Sequence, residues 1–199
     1  MFLKADKLEP VTDAEIQVIV QRVVERLMAE SQNLVNVTQP KSVSHNKLVV
    51  AIGADHGGLS LKESLKPFMV DLGYEVVDCG TNDKNPVDYP DFAVTVALQI
   101  VNGKAWRGIM IDGAGIGSCI TANKVPGIRA AMCYDHATAV NSREHNNTNM
   151  LTLGAGLIGE NLAQQIVKTW LSTEFLGGRH ARRVDKIDAV DKQYRGIGR

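Results

Sequence analysis

The sequence has no long apolar segment and no excess of either charge. Its longest uninterrupted apolar runs are five residues, as at positions 48–52, whereas a helix that spans a membrane needs about 20. The 22 Lys and Arg residues equal the 22 Asp and Glu residues, so the chain lacks the positive field on which general binding to nucleic acid depends. We therefore expect no membrane span and no nucleic-acid partner.

Cysteine is also scarce. The three cysteines are Cys79, Cys119 and Cys133, and no two of them form a C-x-x-C pair, which argues against a disulfide framework and against a cysteine-based structural zinc site. The first ten residues, MFLKADKLEP, lack the apolar core of a secretory signal. These absences predict a reduced protein of the cytoplasm.

The composition changes near residue 46 and predicts two parts. Thr12 and Glu15 have the spacing of a helix capping box. Residues 31–46 carry no apolar period and are rich in Ser, Asn and Gln, which is typical of a linker. We predict an amphipathic helix and linker over 1–46 and a separate domain over 47–199 that ends in a helical tail. The apolar stripe of the first helix is Ile16, Ile19, Val20, Val23, Leu27 and Met28.

From residue 47 onwards, apolar strand-like runs alternate with helical patterns. Because the strand-like runs are continuously apolar, they indicate a parallel sheet that is covered on both faces. We predict a Rossmann-like, doubly wound α/β fold with a five-stranded parallel sheet. The predicted strands are 48–53, 74–80, 108–112, 128–134 and 150–154, and the predicted helices are 61–72, 92–101, 118–124, 136–144 and 159–172.

Polar and glycine-rich residues follow the predicted strands, at the sheet edge where ligands bind in such folds. Asp55 and His56 follow the first strand, and Asp112 leads into the loop 113–117 after the third. This loop opens a helix, whose free N–H groups favour an anion or a developing oxyanion. Close packing of strand against helix explains the glycines equally well.

A dinucleotide site is a weaker alternative for the same loop. The G-x-G-x-x-G pattern needs glycine at position 118, which is Ser118, and the loop follows the third strand instead of the first. Asp135 does lie 20 residues after Gly115, close to the place of a ribose-binding acid.

Positive charge is concentrated at the end of the domain. Residues 177–199 contain seven Lys and Arg residues against three Asp residues, which suits a phosphate ligand. If this segment is helical, Arg179 and Arg183 share one face and can clamp one phosphate. A solvated basic face is the alternative.

Seven motifs together resemble type B ribose-5-phosphate isomerase and the galactose-6-phosphate isomerase subunits. The resemblance covers about Lys47 to Ile187 and implies a Rossmann-like fold, a homodimer or tetramer with active sites shared between subunits, and no metal or cofactor. The motifs are DHGG (55–58), DYPDFA (88–93), GAGIG (113–117), TANK (121–124), GIRAA (127–131), REHNN (143–147) and GGRHARRV (177–184).

The resemblance assigns a role to each matching position. Asp55 is similar to the residue that binds substrate hydroxyls, and Tyr89 to one that lines the sugar. His145 resembles the acid/base that opens the furanose ring, and Asn146 the residue that binds the open chain, both facing a neighbouring subunit's pocket. His56, Arg179 and Arg183 are similar to the residues that contact the phosphate. The loop that contains Gly113, Gly115 and Gly117 is similar to the one that holds the enediolate.

The sequence departs from the family at the proton-transfer base. Familiar members open the loop with cysteine, in C-G-T-G-x-G, and another branch supplies glutamate at the start of the next helix; here these positions are Asp112 and Ser118, and the threonine position is Ala114. A carboxylate can move a proton between adjacent carbons. We therefore expect Asp112 to be the base, with Cys119 as the alternative.

These roles predict an enzyme that interconverts ribose 5-phosphate and ribulose 5-phosphate through a cis-enediolate. Two other interpretations stay open: an isomerase for another pentose or hexose phosphate, and a sugar-phosphate-binding pseudoenzyme that has lost catalysis with the cysteine and threonine. The N-terminal helix over 12–29 resembles the encapsulation peptides that recruit enzymes to bacterial microcompartment shells, whereas docking on its own core or on a partner subunit is the alternative.

Overall fold

The computed structural model describes residues 17, 21–22 and 47–195. Gln17, Gln21 and Arg22 are helical and have exposed side chains. The apolar stripe predicted between positions 12 and 29 and the linker predicted over 31–46 lie outside the described residues.

Residues 47–195 contain one five-stranded sheet in which all strands are parallel. The order of the strands across the sheet is β2-β1-β3-β5-β4. This arrangement confirms the predicted Rossmann-like fold. The strands are β1 (Val49–Ala54), β2 (Glu75–Asp78), β3 (Arg107–Asp112), β4 (Ala130–Met132) and β5 (Met150–Gly154).

Six helices connect and flank these strands within residues 47–195. In this part of the chain, every helix is too short or too polar to cross a bilayer. The helices are α1 (Leu59–Asp71), α2 (Tyr89–Val101), α3 (Ile116–Ala122), α4 (His136–Glu144), α5 (Glu160–Ser172) and α6 (Ala181–Tyr194).

The sheet is covered on both faces because successive residues of a strand point to opposite sides. Ile52 of β1 lies in an apolar cluster with Trp170 of α5. Its neighbour Ala51 lies in a second cluster, with Val96 of α2 and Met110 of β3. The two clusters explain why the strands are continuously apolar in sequence.

The predicted elements are present, but some of their ends differ. Strand β4 spans only Ala130–Met132 of the predicted 128–134. Helix α2 begins at Tyr89 instead of 92, because Pro90 has the fixed φ of a helix's first turn. Helix α3 begins at Ile116 instead of 118.

A buried arginine caps the C-terminal end of α5. Arg107 donates hydrogen bonds to the carbonyl oxygens of Trp170 (2.7 Å) and Leu171 (3.0 Å). Its guanidinium carbon lies 3.8 Å from the ring centroid of Trp106 and 5.2 Å from that of Trp170. Burial, and then the charge of Arg143, lower the pKa of Arg107 to about 10. This side chain joins β3 to α5 at the edge of the sheet where β3 begins.

Candidate functional site

The strand order reverses between β1 and β3, which opens a crevice at their carboxyl ends. Asp55 directly follows β1, and Asp112 is the last residue of β3. The Asp55 N–H donates to the carbonyl oxygen of Ile111 at 3.0 Å, so the ends of the two strands are held together. The fold therefore brings two predicted site carboxylates to one crevice.

Asp55 is 8% exposed and faces the glycine loop. Its Oδ1 accepts a hydrogen bond from the Gly58 N–H at 2.9 Å. A Cβ on Gly57 would lie 3.3 Å from Asp55 Oδ1 and 3.8 Å from the nitrogen of Gly113. The carboxylate thus lies beside the start of the loop, where a sugar hydroxyl can reach it.

A buried lysine supports the end of β1. Lys62 of α1 is fully buried, and its Nζ donates to Asp78 Oδ1 at 2.6 Å and to the Thr81 carbonyl oxygen at 2.7 Å. The turn that contains Thr81 exchanges backbone hydrogen bonds with Ala54, both pairs at 2.7 Å. The ion pair therefore fixes the strand end from which Asp55 projects.

The Asp112 carboxylate is surrounded by hydrogen-bond donors of its own loop. Oδ1 accepts from the N–H groups of Ala114 (2.8 Å) and Gly115, and Oδ2 accepts from the N–H (3.0 Å) and the hydroxyl (2.5 Å) of Ser118. Asp112 is 4% exposed. The predicted base lies at the crevice, and it holds the loop in shape.

This geometry corrects one expectation about the loop. We expected the whole loop 113–117 to offer its N–H groups to an enediolate, but those of Ala114 and Gly115 already donate to Asp112. Gly113, Ile116 and Gly117 hold the loop's other N–H groups. The same hydrogen bonds argue against a dinucleotide site, because the Asp112 carboxylate already accepts the N–H groups that would bind a phosphate.

The glycines of the loop permit close contacts and leave one open space. Gly115 has a φ of 79°, which favours glycine. A Cβ on Gly117 would lie 2.4 Å from Cζ of Tyr89, so the Tyr89 ring is packed directly on the loop. A Cβ on Gly113 would meet no atom within 4 Å. The space beside Gly113, between Asp55 and the loop, is the candidate sugar position.

Cys119, the alternative base, packs against β4. Its half-buried thiol lies 3.5 Å from the Ala130 carbonyl oxygen and 3.6 Å from Asn123 Nδ2. Burial, opposed in part by hydrogen bonds, raises the pKa of this thiol. A thiol that stays protonated is a poor base, so the geometry favours Asp112.

His56 is exposed and contacts the segment before α2. Its Nδ1 accepts a hydrogen bond from the Val87 N–H at 3.2 Å. Because Val87 comes two residues before Tyr89, this bond ties the loop after β1 to the start of α2. His56 therefore belongs to the crevice group, with Asp55, Tyr89 and Asp112.

His145 and Asn146 lie at the other edge of the sheet. Helix α4 runs back from the carboxyl end of β4 and ends at Glu144, before β5 begins. Both side chains contact Asn141: His145 Nδ1 lies 2.8 Å from its Nδ2, and Asn146 Nδ2 lies 3.3 Å from its carbonyl oxygen. Nine residues of helix span about 14 Å, so these side chains are far from the crevice of the same chain.

Arg179 lies beside this second group. Its Nε donates to His180 Nε2 at 3.3 Å, and the His180 ring stacks on that of His145. Burial, followed by the nearby charges of His145, Arg179 and Arg183, lowers the pKa of His180. Among the described residues, His180 Nδ1 is a buried side-chain nitrogen without a hydrogen-bond partner.

Two expectations about the arginines need correction. Helix α6 begins at Ala181, and Arg179 lies in the turn before it, so Arg179 and Arg183 are not an i, i+4 pair of one helix. His56 belongs to the crevice group and Arg179 to the group around His145. One chain therefore does not assemble the predicted phosphate cluster of His56, Arg179 and Arg183.

Three supporting residues were not predicted as part of the site. Lys62 lies on the buried face of α1 between Leu61 and Leu65, and a lysine at an apolar position was the sequence signal for it. In the sequence, Ser118 stands out only as a departure from two motifs. His180 was visible within GGRHARRV, but its stacking on His145 depends on tertiary structure.

Comparisons with known proteins show the family to which this chain belongs. The family model described as Ribose/Galactose Isomerase matches residues 50–187. Ribose-5-phosphate isomerase B of Escherichia coli is 42% identical over 144 residues, which are 72% of this chain and 97% of that protein. D-erythrulose-4-phosphate isomerase of Pectobacterium atrosepticum is 44% identical over 148 residues, 73% of this chain and 97% of that protein.

Solved structures are similar over the same part. Ribose-5-phosphate isomerase B of Clostridium thermocellum has a TM-score of 0.73 and 51% identity, and the match covers 74% of this chain and 99% of that chain. The type B ribose 5-phosphate isomerase of Trypanosoma brucei has a TM-score of 0.71 and 44% identity, with coverage of 72% and 99%. With its family model matched from residue 50 to residue 187, the chain belongs to the ribose/galactose isomerase family.

Proposed function

We propose that this chain is an aldose–ketose isomerase that interconverts ribose 5-phosphate and ribulose 5-phosphate through a cis-enediolate. The observation that carries the proposal is the crevice at β1 and β3, where Asp55 and Asp112 lie at the ends of adjacent strands, the Tyr89 ring packs on Gly117, and the space beside Gly113 is open. Membership of the family supports it, since a relative 42% identical is named ribose-5-phosphate isomerase B.

Proton transfer between the two carbons is the central step of this proposal. Asp112 removes the proton from C2 of the open-chain aldose, and the C–H electron pair forms the C1–C2 double bond while charge moves to O1. The same proton then returns to C1, and the O2 hydroxyl proton moves to O1. The N–H groups of Gly113, Ile116 and Gly117 stabilise the negative charge between these steps.

The other predicted residues bind and prepare the substrate. Asp55 accepts hydrogen bonds from sugar hydroxyls, and Tyr89 forms the wall of the sugar site. His145 opens the furanose ring, and Asn146 holds the open chain. The phosphate is bound by His56, Arg179 and Arg183, which supply binding energy far from the reacting carbons.

We further propose that the active site is formed by two chains, in a homodimer or in a tetramer built from such dimers. The crevice group and the group around His145 lie at opposite edges of one sheet, so a substrate cannot contact both in one chain. A two-fold axis places the His145 group of one chain at the crevice of the other, twice per dimer.

Complementation between inactive variants tests the shared site. Asp112→Asn and His145→Ala should each be inactive, but a mixed dimer carries one site with both native residues. Random reassembly should therefore recover about a quarter of the wild-type activity. No recovery in a mixed dimer purified through two different tags would show that each chain uses its own residues.

The direct test of activity is conversion of ribose 5-phosphate to a ketose by the purified chain. A pseudoenzyme would bind sugar phosphates, for example in calorimetry, without converting any of them. A panel of tetrose, pentose and hexose phosphates separates this outcome from a different substrate. Erythrulose 4-phosphate belongs in the panel, because a relative 44% identical is named for that substrate.

We propose a separate role for residues 1–46, which is to bring the enzyme into a bacterial microcompartment in the cytoplasm. Two of the relatives are matched along 97% of their own length by 72% of this chain. The N-terminal part is therefore additional to the isomerase domain over 47–199. The capping box at Thr12 and Glu15 and the apolar stripe that follows it suit a helix that buries one face on a shell protein.

Removal of residues 1–40 tests this role. The truncated chain should keep its isomerase activity and oligomeric state but no longer sediment with shell proteins, and a reporter fused to residues 1–40 should gain that property. A sharp fall in melting temperature or a loss of the oligomer would instead assign the segment to the fold.

A further inference from the structure

Ser118 contacts the proposed base, yet the reaction described above gives it no role. Its side chain is fully buried at the start of α3. Its hydroxyl donates to Asp112 Oδ2 at 2.5 Å, and its N–H donates to the same oxygen at 3.0 Å. Ser118 therefore donates two hydrogen bonds to one oxygen of the proposed base.

The four donors around Asp112 differ in their freedom to move. An ionised carboxylate has about four acceptor positions, and the donors of Ala114, Gly115 and Ser118 fill that number. Three of the donors are backbone N–H groups that the loop fixes in place. The Ser118 hydroxyl alone can rotate, so Oδ2 can take up a proton only when this hydroxyl stops donating to it.

We propose that Ser118 is a positioning residue for proton transfer, whose hydroxyl holds Asp112 Oδ2 in place and changes from donor to acceptor when that oxygen becomes protonated. This inference rests on the proposed isomerase function. When the C2 proton moves to Oδ2, the new O–H group donates to Ser118 Oγ, and the bond reverses when the proton returns to C1. Ser118 itself neither gains nor loses a proton.

The charges around the loop make this hydroxyl important for the ionised base. Within residues 47–195, no lysine, arginine or histidine forms a salt bridge with Asp112. The carboxylate therefore depends on its hydrogen-bond donors, and a hydrogen bond to an ionised group is about twice as strong as one between neutral groups. The titratable groups that flank the loop are Asp55 and His56 after β1, Tyr89 of α2, Cys119 of α3, and Tyr134, whose hydroxyl lies 3.4 Å from the Ala114 carbonyl oxygen.

The test compares the pH dependence of isomerisation in Ser118→Ala and the wild type. Loss of the hydroxyl removes a donor that favours the ionised carboxylate, so the acid limb of kcat/KM should move to higher pH by about one unit. The value of kcat should fall about tenfold, with KM for ribose 5-phosphate at high pH within about twofold of wild type. Ser118→Thr, which keeps the hydroxyl, should restore the wild-type profile.

Two further variants keep the test decisive. Ser118→Cys fills the same space with a weaker donor and should shift the acid limb by an intermediate amount, even if Ser118→Ala does not fold. Thr121→Val is the matched control, because the Thr121 hydroxyl lies on the same helix but bonds to the Gly117 carbonyl oxygen at 2.9 Å. Acid limbs of Ser118→Ala and Ser118→Cys that coincide with the wild type would overturn the proposal.

Failure of this inference is distinguishable from failure of the function on which it rests. A wild-type chain that isomerises no sugar phosphate would refute the proposed function. An Asp112→Asn variant with undiminished exchange of the C2 proton would refute the base. An active enzyme that needs Asp112 but is indifferent to Ser118 would refute this inference alone.

Discussion

The imidazole rings of His145 and His180 lie almost parallel, with their centroids 4.2 Å apart and their planes 3° from each other. Because His180 also accepts a hydrogen bond from Arg179 Nε, the stack joins the residue proposed to open the sugar ring to an arginine proposed to bind phosphate. In the proposed enzyme, a phosphate bound by Arg179 fixes His145 through a rigid contact.

The proposed binding of phosphate by Arg179 and Arg183 predicts that substitutions of the three nearby arginines change KM unequally. Arg179→Ala and Arg183→Ala should each raise KM for ribose 5-phosphate at least tenfold, since a hydrogen bond to a charged group contributes about 1.5 to 3 kcal/mol. Arg182→Ala is the matched control and should change KM much less. Steady-state kinetics at fixed ionic strength measures all three, and equal effects would indicate general attraction by positive charge.

Asp112→Asn should abolish turnover and leave sugar-phosphate binding in place. The amide keeps an oxygen for the N–H groups of Ala114 and Gly115 but cannot accept the C2 proton, so we expect a loss of at least about 100-fold. Incorporation of solvent deuterium into the sugar, with calorimetry for affinity, separates chemistry from binding. Near-normal incorporation would mean that another group is the base.

Cys119→Ser is the complementary variant and should retain most of the activity. Because burial raises the pKa of the Cys119 thiol, iodoacetamide should react with it slowly. Rapid inactivation by iodoacetamide that substrate prevents would make Cys119 the base instead. Mass spectrometry of the alkylated protein identifies the modified residue.

Two glycines of the loop should respond differently to alanine. A Cβ on Gly117 would overlap the Tyr89 ring, so Gly117→Ala should lower both the melting temperature and kcat/KM. Gly113→Ala has space for its methyl group, so it should keep the melting temperature and raise KM, because the methyl enters the proposed sugar position. Gly159→Ala, with no atom within 4 Å of its Cβ, is the neutral control.

Lys62→Met should be among the most destabilising substitutions of a charged residue. It leaves the Thr81 carbonyl oxygen without its buried donor and removes one of the two lysine partners of Asp78, and a buried acceptor that loses its partner typically costs about 1 to 3 kcal/mol. Lys66→Met, which removes a more exposed partner of Asp78, should cost less than about 1 kcal/mol. Urea unfolding measures both, and equal losses would contradict the role of Lys62.

The same pair gives a pH dependence of stability. Burial acts to raise the pKa of Asp78, but hydrogen bonds from Lys62 and Lys66 outweigh it, so this pKa lies below its ordinary value. The pair therefore stabilises the fold fully above about pH 4, and this contribution is lost as the pH falls through the lowered pKa. In Lys62→Met, urea midpoints should fall less than in the wild type as the pH is lowered through the acid range in which Asp78 becomes protonated.

Apolar periodicity predicted the five strands because parallel strands are buried on both faces, and this pattern is local in sequence. Strand ends were predicted less well, since the pairing of β4 with β5 decides that β4 ends at Met132. The residues of the crevice followed from motifs directly after β1 and β3. The distance between His56 and Arg179 was not predictable, because it depends on which edge of the sheet each segment reaches.

The hydrogen bonds that the loop donates to the Asp112 carboxylate were also not predictable from the sequence. A carboxylate before a glycine-rich loop suggests free N–H groups for a ligand, whereas in the folded protein the donors of Ala114, Gly115 and Ser118 bind Asp112. Local pattern gives the residue types at a site, whereas tertiary structure decides which of their hydrogen-bonding groups are already used.

The two indole rings around Arg107 give this protein a built-in optical probe. Trp106 and Trp170 are the chain's two tryptophans, and both contact the Arg107 guanidinium. The Trp170 Nε1–H also donates to Thr148 Oγ1 at 3.0 Å, in the segment that follows His145. Their ultraviolet emission therefore originates at the sheet edge that carries His145, the proposed ring-opening residue, and we expect it to report substrate binding in the unlabelled protein.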